Sequence, residues 1–194
     1  MIELVTEVIP MEYLPGTKLK TEDISLGFSC IAPSLAAARG FTLSQVCAIT
    51  GVGGAAVQNW VKRGWVTRPA NKRYGEYQLA RIMLINMLRD SMSLEKIALL
   101  LHYINGEAQD RGDDIIPDSA LYTHLCGVIN ACIKNRTFGA AECKKAAMAS
   151  LESYNEVFSG VKNKLCDALT AMTLAYISGA LKKEANRAFS SLQL

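Results

Sequence analysis

Apolar positions along this chain recur mostly at three- and four-residue spacing, the period of helices with one buried face. Thr42-Leu43-Ser44-Gln45 has the form of a capping box, a Thr followed three positions on by a Gln. It predicts a helix over 43–49 with Leu43, Val46 and Cys47 on one face, ended by Gly51. Gly53-Gly54 opens a second helix in which Val57, Trp60 and Val61 stand at i, i+3 and i+4, and Gly64 supplies the stop. Gln58, Asn59, Lys62 and Arg63 fall on its other faces. A helix over 78–89 carries Leu79, Ile82, Met83, Leu84, Ile85, Met87 and Leu88 around most of its circumference and is expected to be the core. Ser93 caps the next, with Leu94, Ile97, Ala98 and Leu101 on one side. The pattern changes before 78. Trp65-Val66-Thr67 and Tyr74-Gly75-Glu76-Tyr77 flank the basic loop Arg68-Pro69-Ala70-Asn71-Lys72-Arg73, which predicts a β-hairpin.

The two ends differ from this middle. Pro10, Pro15, Gly16, Gly27 and Pro33 break residues 1–40 into an arm, with apolar residues at 24–31 to dock on the core and a short helix expected at 34–39. Residues 105–117, with Gly106, several acids and Pro117, form a linker. After it Asp118 caps a helix with Leu121, Leu125, Ile129 and Cys132 inward. The stretch 138–158 follows, with Cys143, Ala147, Leu151, Tyr154 and Phe158 as its apolar positions. Past Ser159-Gly160 a helix to about Ser190 is expected, about 45 Å long at 1.5 Å per residue. Such a helix fits either a pair across a two-fold axis, on a Leu165–Met172–Tyr176 face, or an intramolecular bundle. The expected fold class is mainly α: an arm (1–40), a helix-turn-helix with a small β-hairpin wing (41–104), a linker (105–117) and a helical dimerisation or effector region (118–194).

Composition narrows the functions. The chain has 194 residues, half of them hydrophobic and 20% charged, enough apolar material for a buried core. The first seven residues lack the positive start and apolar run of a secretory signal, and the apolar stretch 168–181 is short of the roughly 20 residues that span a bilayer. A cytoplasmic protein without a membrane partner is expected. Cys30, Cys47, Cys126, Cys132, Cys143 and Cys166 form no C-x-x-C pair, and His102 and His124 are the only histidines, so reduced buried thiols are expected and no metal or other cofactor. There is no GxSxG, P-loop or HExxH, and the chain is not read as an enzyme.

Charge is informative in its distribution. Residues 1–40 carry three bases and five acids, residues 41–90 seven bases and two acids, and residues 91–194 eleven of each. The net +3 therefore arises from one window of +5, and Lys62, Arg63, Arg68, Lys72 and Arg73 lie in it with no acid between them. Local positive fields of this kind bind phosphate by displacing condensed counterions.

Phe41-Thr42-Leu43-Ser44-Gln45-Val46, Thr50-Gly51-Val52, Gly64-Trp65-Val66, Lys72-Arg73-Tyr74 and Ser93-Leu94-Glu95-Lys96-Ile97 together resemble the MerR family of winged-helix transcription regulators. The resemblance covers about a third of the chain. A nearer likeness, at Gln58-Asn59-Trp60-Val61-Lys62, Lys72-Arg73-Tyr74 and the aliphatic stretch 82–88, is to a MerR-related family known only as a domain of unknown function. The resemblance implies a MerR-like winged helix-turn-helix, double-stranded DNA as partner, a homodimer on an inverted repeat, and a small-molecule effector of unknown identity bound after the fourth helix. The chain departs from the MerR pattern where Gln58-Asn59-Trp60-Val61 replaces Arg-Tyr-Tyr-Glu, so that Gln58 stands at the phosphate-clamping Arg.

On this reading residues 54–63 enter the major groove. Gln58 and Asn59 suit adenine, because an amide pairs with both N6 and N7. Lys62 and Arg63 reach phosphates, as do the free amides at Gly53-Gly54. Arg68, Lys72 and Arg73 meet the backbone or a narrow minor groove. Trp60 shares a face with Val57 and is expected in the core, whereas Tyr74 suits either the core or a base stack. The rival reading is a winged-helix protein-interaction module without DNA binding.

Overall fold

The computed structural model describes residues 12–108, 110, 112 and 114–192; residues 1–11 of the expected arm and positions 109, 111 and 113 of the expected linker lie outside them. A 3-10 segment, Ile24–Cys30, precedes eight α-helices among the described residues: α1 (Ala32–Ala37), α2 (Leu43–Thr50), α3 (Gly54–Lys62), α4 (Glu76–Leu88), α5 (Leu94–Asn105), α6 (Asp118–Asn135), α7 (Ala140–Ser150) and α8 (Val161–Ser190). None of these helices is long and apolar enough to cross a membrane.

The expected β-hairpin wing does not form. Among the described residues there is no strand, only isolated bridges at Tyr13–Lys20, Phe41–Tyr74 and Ala70–Arg73. Asn71 and Lys72 do take up the left-handed pair of a tight turn, at φ of 50° and 60°. The ladder stops there for three reasons. Pro69 has no N–H to give. Tyr74 spends both backbone groups on Phe41, at 2.8 and 2.9 Å. The other arm is held from α4, where Gln78 Nε2 donates to Thr67 Oγ1 at 2.9 Å. The fold is mainly α, and the segment between α3 and α4 is a loop.

α6 lies at the centre, because it is apolar nearly all round. The 3-10 segment, α4, α7 and α8 pack on it. The docking expected of residues 24–31 takes place here, and it is close. Gly27 has φ 54°, and a Cβ there would come within 2.6 Å of Thr123 Cα. Phe28 meets the Tyr122 ring edge-on at 6.5 Å, and Tyr122 donates to Pro15 O at 2.6 Å. The short helix begins earlier than expected, at Ala32, with Pro33 in its first turn, where a missing N–H costs nothing.

α8 is continuous over its 30 residues. Leu165 and Met172 are fully buried within the chain, so of the two arrangements open to this helix they form the intramolecular seam. Beyond Ala180 the helix runs past the core, with Leu181 and Phe189 exposed. At 100° per residue these two fall on one side of the helix, and Tyr176, Lys183 and Arg187 on another.

One buried ion pair joins the middle of the chain to the C-terminal helices. Arg81, in α4, donates from Nε to Asp118 Oδ2 at 2.6 Å, and the two side chains are 8% and 6% exposed. Asn105, the last residue of α5, donates to Asp118 Oδ1 at 3.3 Å and to Ile116 O at 2.7 Å. Nearby, Ser119 donates to Glu76 at 2.5 Å. Removing one member leaves an uncompensated buried charge, whereas an apolar pair of similar volume removes the desolvation cost of both. Asp118→Ala is therefore expected to cost about 3–5 kcal/mol in urea unfolding, and Arg81→Met/Asp118→Leu clearly less. Equal losses in the two variants would show that the pair's charges are not what the fold depends on.

Candidate nucleic-acid interface

The helix pair α2–α3 is assembled by local rules. Thr42 Oγ1 accepts from Gln45 N at 3.4 Å, and Gln45 Oε1 accepts from Thr42 N at 2.9 Å, the two halves of the capping box. Gly51 ends α2 in the left-handed region, at φ 71°, with its N–H donated to Cys47 O. The start of α3 packs on α2 at Gly54, where a Cβ would meet Leu43 at 3.4 Å and Cys47 Sγ at 3.7 Å, ordinary contact distances. Val57 and Trp60 are buried, which turns Gln58, Asn59 and Lys62 to the surface.

α4 holds this pair in place through a residue whose role the periodicity did not show. Asn86 Nδ2 donates to Thr50 O at 2.9 Å and to Gly16 O at 2.8 Å, taking up a terminal carbonyl of α2. The one polar side chain in the apolar run 82–88 was the available signal. Gln78 does the same for the basic loop: it accepts from Gly75 N at 2.9 Å and donates to Thr67 and to Arg68 O.

The sequence-derived residues divide into three groups. Gln58, Asn59, Lys62, Arg68 and Lys72 are exposed, and among the described residues no ion pair ties down Lys62, Arg68 or Lys72. Arg63 and Arg73 are exposed but engaged. Arg63 pairs with Glu95 at 3.3 Å and lies 4.9 Å from the Trp65 ring centroid, and Arg73 donates to Gly40 O at 3.1 Å. Tyr74 is 4% exposed, and burial pushes its phenol above the usual range. Of the two roles open to it, the structure places it in the core, away from a base stack.

The charge of the 41–90 window is reduced in the same way. Arg81 is neutralised internally by Asp118 and Arg63 at the surface by Glu95. What remains facing outward is α3 with the loop that follows it, which presents two amides and several cations, and Arg89 beyond the end of α4. The thiols are elsewhere. Cys126, Cys132, Cys143 and Cys166 are buried, Cys132 and Cys143 touch at 3.7 Å, and burial together with Cys143 raises Cys132 to about 12. No three His, Cys, Asp or Glu side chains among the described residues come together as metal ligands would.

Comparison with known proteins gives a segment and a relative. Residues 43–125 match the family model described as "Domain of unknown function (DUF1836)", under half of the chain. The matched segment runs from α2 into α6 and includes Arg81, Asn105 and Asp118, so it carries the buried pair as well as the helix pair. The chain is also similar to "Uncharacterized protein YkrK" of Bacillus subtilis (strain 168), 27% identical over 115 residues, which is 57% of this chain and 49% of that protein. The chain thus covers about half of the relative's length. No solved structure matches the chain.

Asn86→Ala is expected to leave two carbonyls without their donor and to cost about 1–3 kcal/mol. The protection of the Gly51 and Val52 amides against hydrogen exchange should fall more than that of amides in α7. Uniform loss across the chain would mean that Asn86 does not act on the helix pair in particular.

Proposed function

We propose that the chain is a sequence-specific, double-stranded DNA-binding transcription regulator that reads bases with α3 and grips phosphates with the loop after it. The observation that supports this most is the exposed face of α3, where Gln58, Asn59 and Lys62 stand over a buried Val57–Trp60 seam beside Arg68 and Lys72, cations with no ion pair among the described residues. Amides and bases in that order serve base reading and backbone positioning respectively. The sequence resemblance to MerR-type regulators at the α2–α3 pair and at the start of α5 agrees with this reading. A homodimer would rest on the free side of α8, where Leu181 and Phe189 are exposed. A small-molecule effector fits the cavity of about 580 Å³ lined by Trp65, Leu99, Leu101 and His102, immediately behind the end of α3.

A protein-interaction module is the alternative, and one observation favours it. Leu99 and Tyr103, on the outer side of α5, are 67% and 52% exposed. Salt separates the two readings, because phosphate-led binding weakens steeply with salt and an apolar interface need not.

Purified protein mixed with random-sequence duplex pools at about 50 and 200 mM salt should enrich a defined motif. In Gln58→Ala/Asn59→Ala that preference should flatten, by about 1–3 kcal/mol per lost bidentate contact, with weak general binding retained. In Arg68→Ala/Lys72→Ala/Arg73→Ala binding should weaken on every sequence. Absence of binding at either salt would exclude the DNA reading for this chain. Glu95→Gln should free Arg63 and tighten binding at low salt; unchanged affinity would place Arg63 outside the contact. By light scattering, Leu181→Glu/Phe189→Glu should yield monomers from a dimeric wild type, and an unchanged mass would rule out the α8 interface.

A further inference from the structure

A second basic surface lies beside the helix pair, made from parts of the chain remote in sequence. Residues 13–18, the end of α4 and the distal half of α8 enclose a groove of about 460 Å³, which continues along α8 into a smaller hollow of about 140 Å³. Lys18, Arg89, Lys183 and Arg187 line it, and Asp90 is the one acid among its lining residues. Asp90 is already engaged by Lys183 at 2.5 Å, and Arg187 pairs with Glu184 at 3.1 Å. Among the described residues Lys18 and Arg89 have no acidic partner.

These two cations bracket the α2–α3 pair. The Lys18 N–H donates to Ile49 O at 2.7 Å, and a Cβ on Gly51 would lie 2.6 Å from Lys18 Cε, so the lysine stem crosses the turn itself. The Arg89 guanidinium sits 6.0 Å from the ring centroid of Trp60 in α3. A helix C-terminus ordinarily repels anions through its free carbonyls. Here the C-terminal carbonyls of α2 at Ile49 and Thr50 are bonded by Lys18 N and Asn86 Nδ2, which lessens that repulsion at the groove mouth.

We infer that this groove is a second backbone-binding surface, in which Lys18 and Arg89, supported by Lys183 and Arg187, take phosphates of the same DNA duplex that α3 reads. The inference rests on the proposed DNA function and adds to it a contact from the N-terminal segment and from α8. The occupant is a phosphodiester backbone because the larger part of the groove is polar and positive, and because Lys18 crosses the turn that leads into the reading helix. Lys183 and Arg187 share the side of α8 that faces the groove, so phosphate binding there leaves the opposite side, with Leu181 and Phe189, free.

The test is fluorescence anisotropy of the full-length protein with a labelled duplex, titrated over a series of salt concentrations. Each phosphate contact contributes about 0.9 to the slope of log K against log salt. Lys18→Gln/Arg89→Gln should lower the slope by about 2, so that the affinity lost between about 50 and 200 mM salt becomes about tenfold smaller than in wild type. Arg68→Gln/Lys72→Gln should lower it separately, and the two effects should add. The charge-conserving Lys18→Arg/Arg89→Lys should keep the wild-type slope. A wild-type slope in Lys18→Gln/Arg89→Gln, alongside a reduced one in Arg68→Gln/Lys72→Gln, would overturn this inference and leave the proposed function standing. Equal slope losses in the Gln and the charge-conserving variants would assign the effect to packing and also overturn it. A wild-type protein that binds single-stranded RNA or an acidic protein but no duplex would overturn both readings.

Discussion

The Arg81–Asp118 pair is the contact through which the two halves of the chain constrain one another. Two opposite charges removed from water tolerate little displacement, because separating them would leave each charge uncompensated in the interior. Asp118 begins α6 and Arg81 lies in the middle of α4, so the pair fixes where the central helix starts relative to the helix that carries the α2–α3 pair. Asn105 closes the arrangement by holding Ile116 and Asp118 from the end of α5. The segment matched by the family model ends at residue 125, two turns into α6, beyond the aspartate rather than before it.

From that anchor α4 reaches outward to each part of the candidate interface. Gln78 holds the basic loop, Asn86 the end of α2, and Arg89 the face of Trp60. The surface residues on α3 and its loop are therefore presented by a buried helix, which suits a site that must meet a rigid partner at several points. The same packing decides which charges remain available. Surface pairs such as Arg63–Glu95 are worth little to stability, yet in the proposed DNA complex they would compete with phosphate for the same guanidinium.

Much of the helical order was legible in the sequence, for identifiable reasons. The capping box at Thr42, the glycine stop at 51, the serine cap at 93 and the break at Ser159-Gly160 are local signals, and the structure has helix boundaries at each. The hairpin was misread because the turn chemistry at Asn71-Lys72 is real while the strands it implies are not. Strand pairing depends on partners across the fold, and here Phe41 and Gln78 take those partners. Tyr74 follows from the same event, since pairing with Phe41 draws its ring inward.

The sequence by itself determined the helices, their inward faces and the basic stretch from Lys62 to Arg73, because helix periodicity, capping and runs of like charge are properties of neighbours along the chain. The tertiary structure alone decided which charges survive at the surface and which lie together. Arg81 left the basic window for the interior, while Arg89 of that window was joined by Lys18, Lys183 and Arg187 from segments whose own charge totals showed no basic excess. A window of sequence sums charge over contour length, whereas a phosphate responds to charge within a Debye length of about 8–10 Å in space. Only the packing of α8 and the N-terminal segment against the end of α4 converts the first distance into the second.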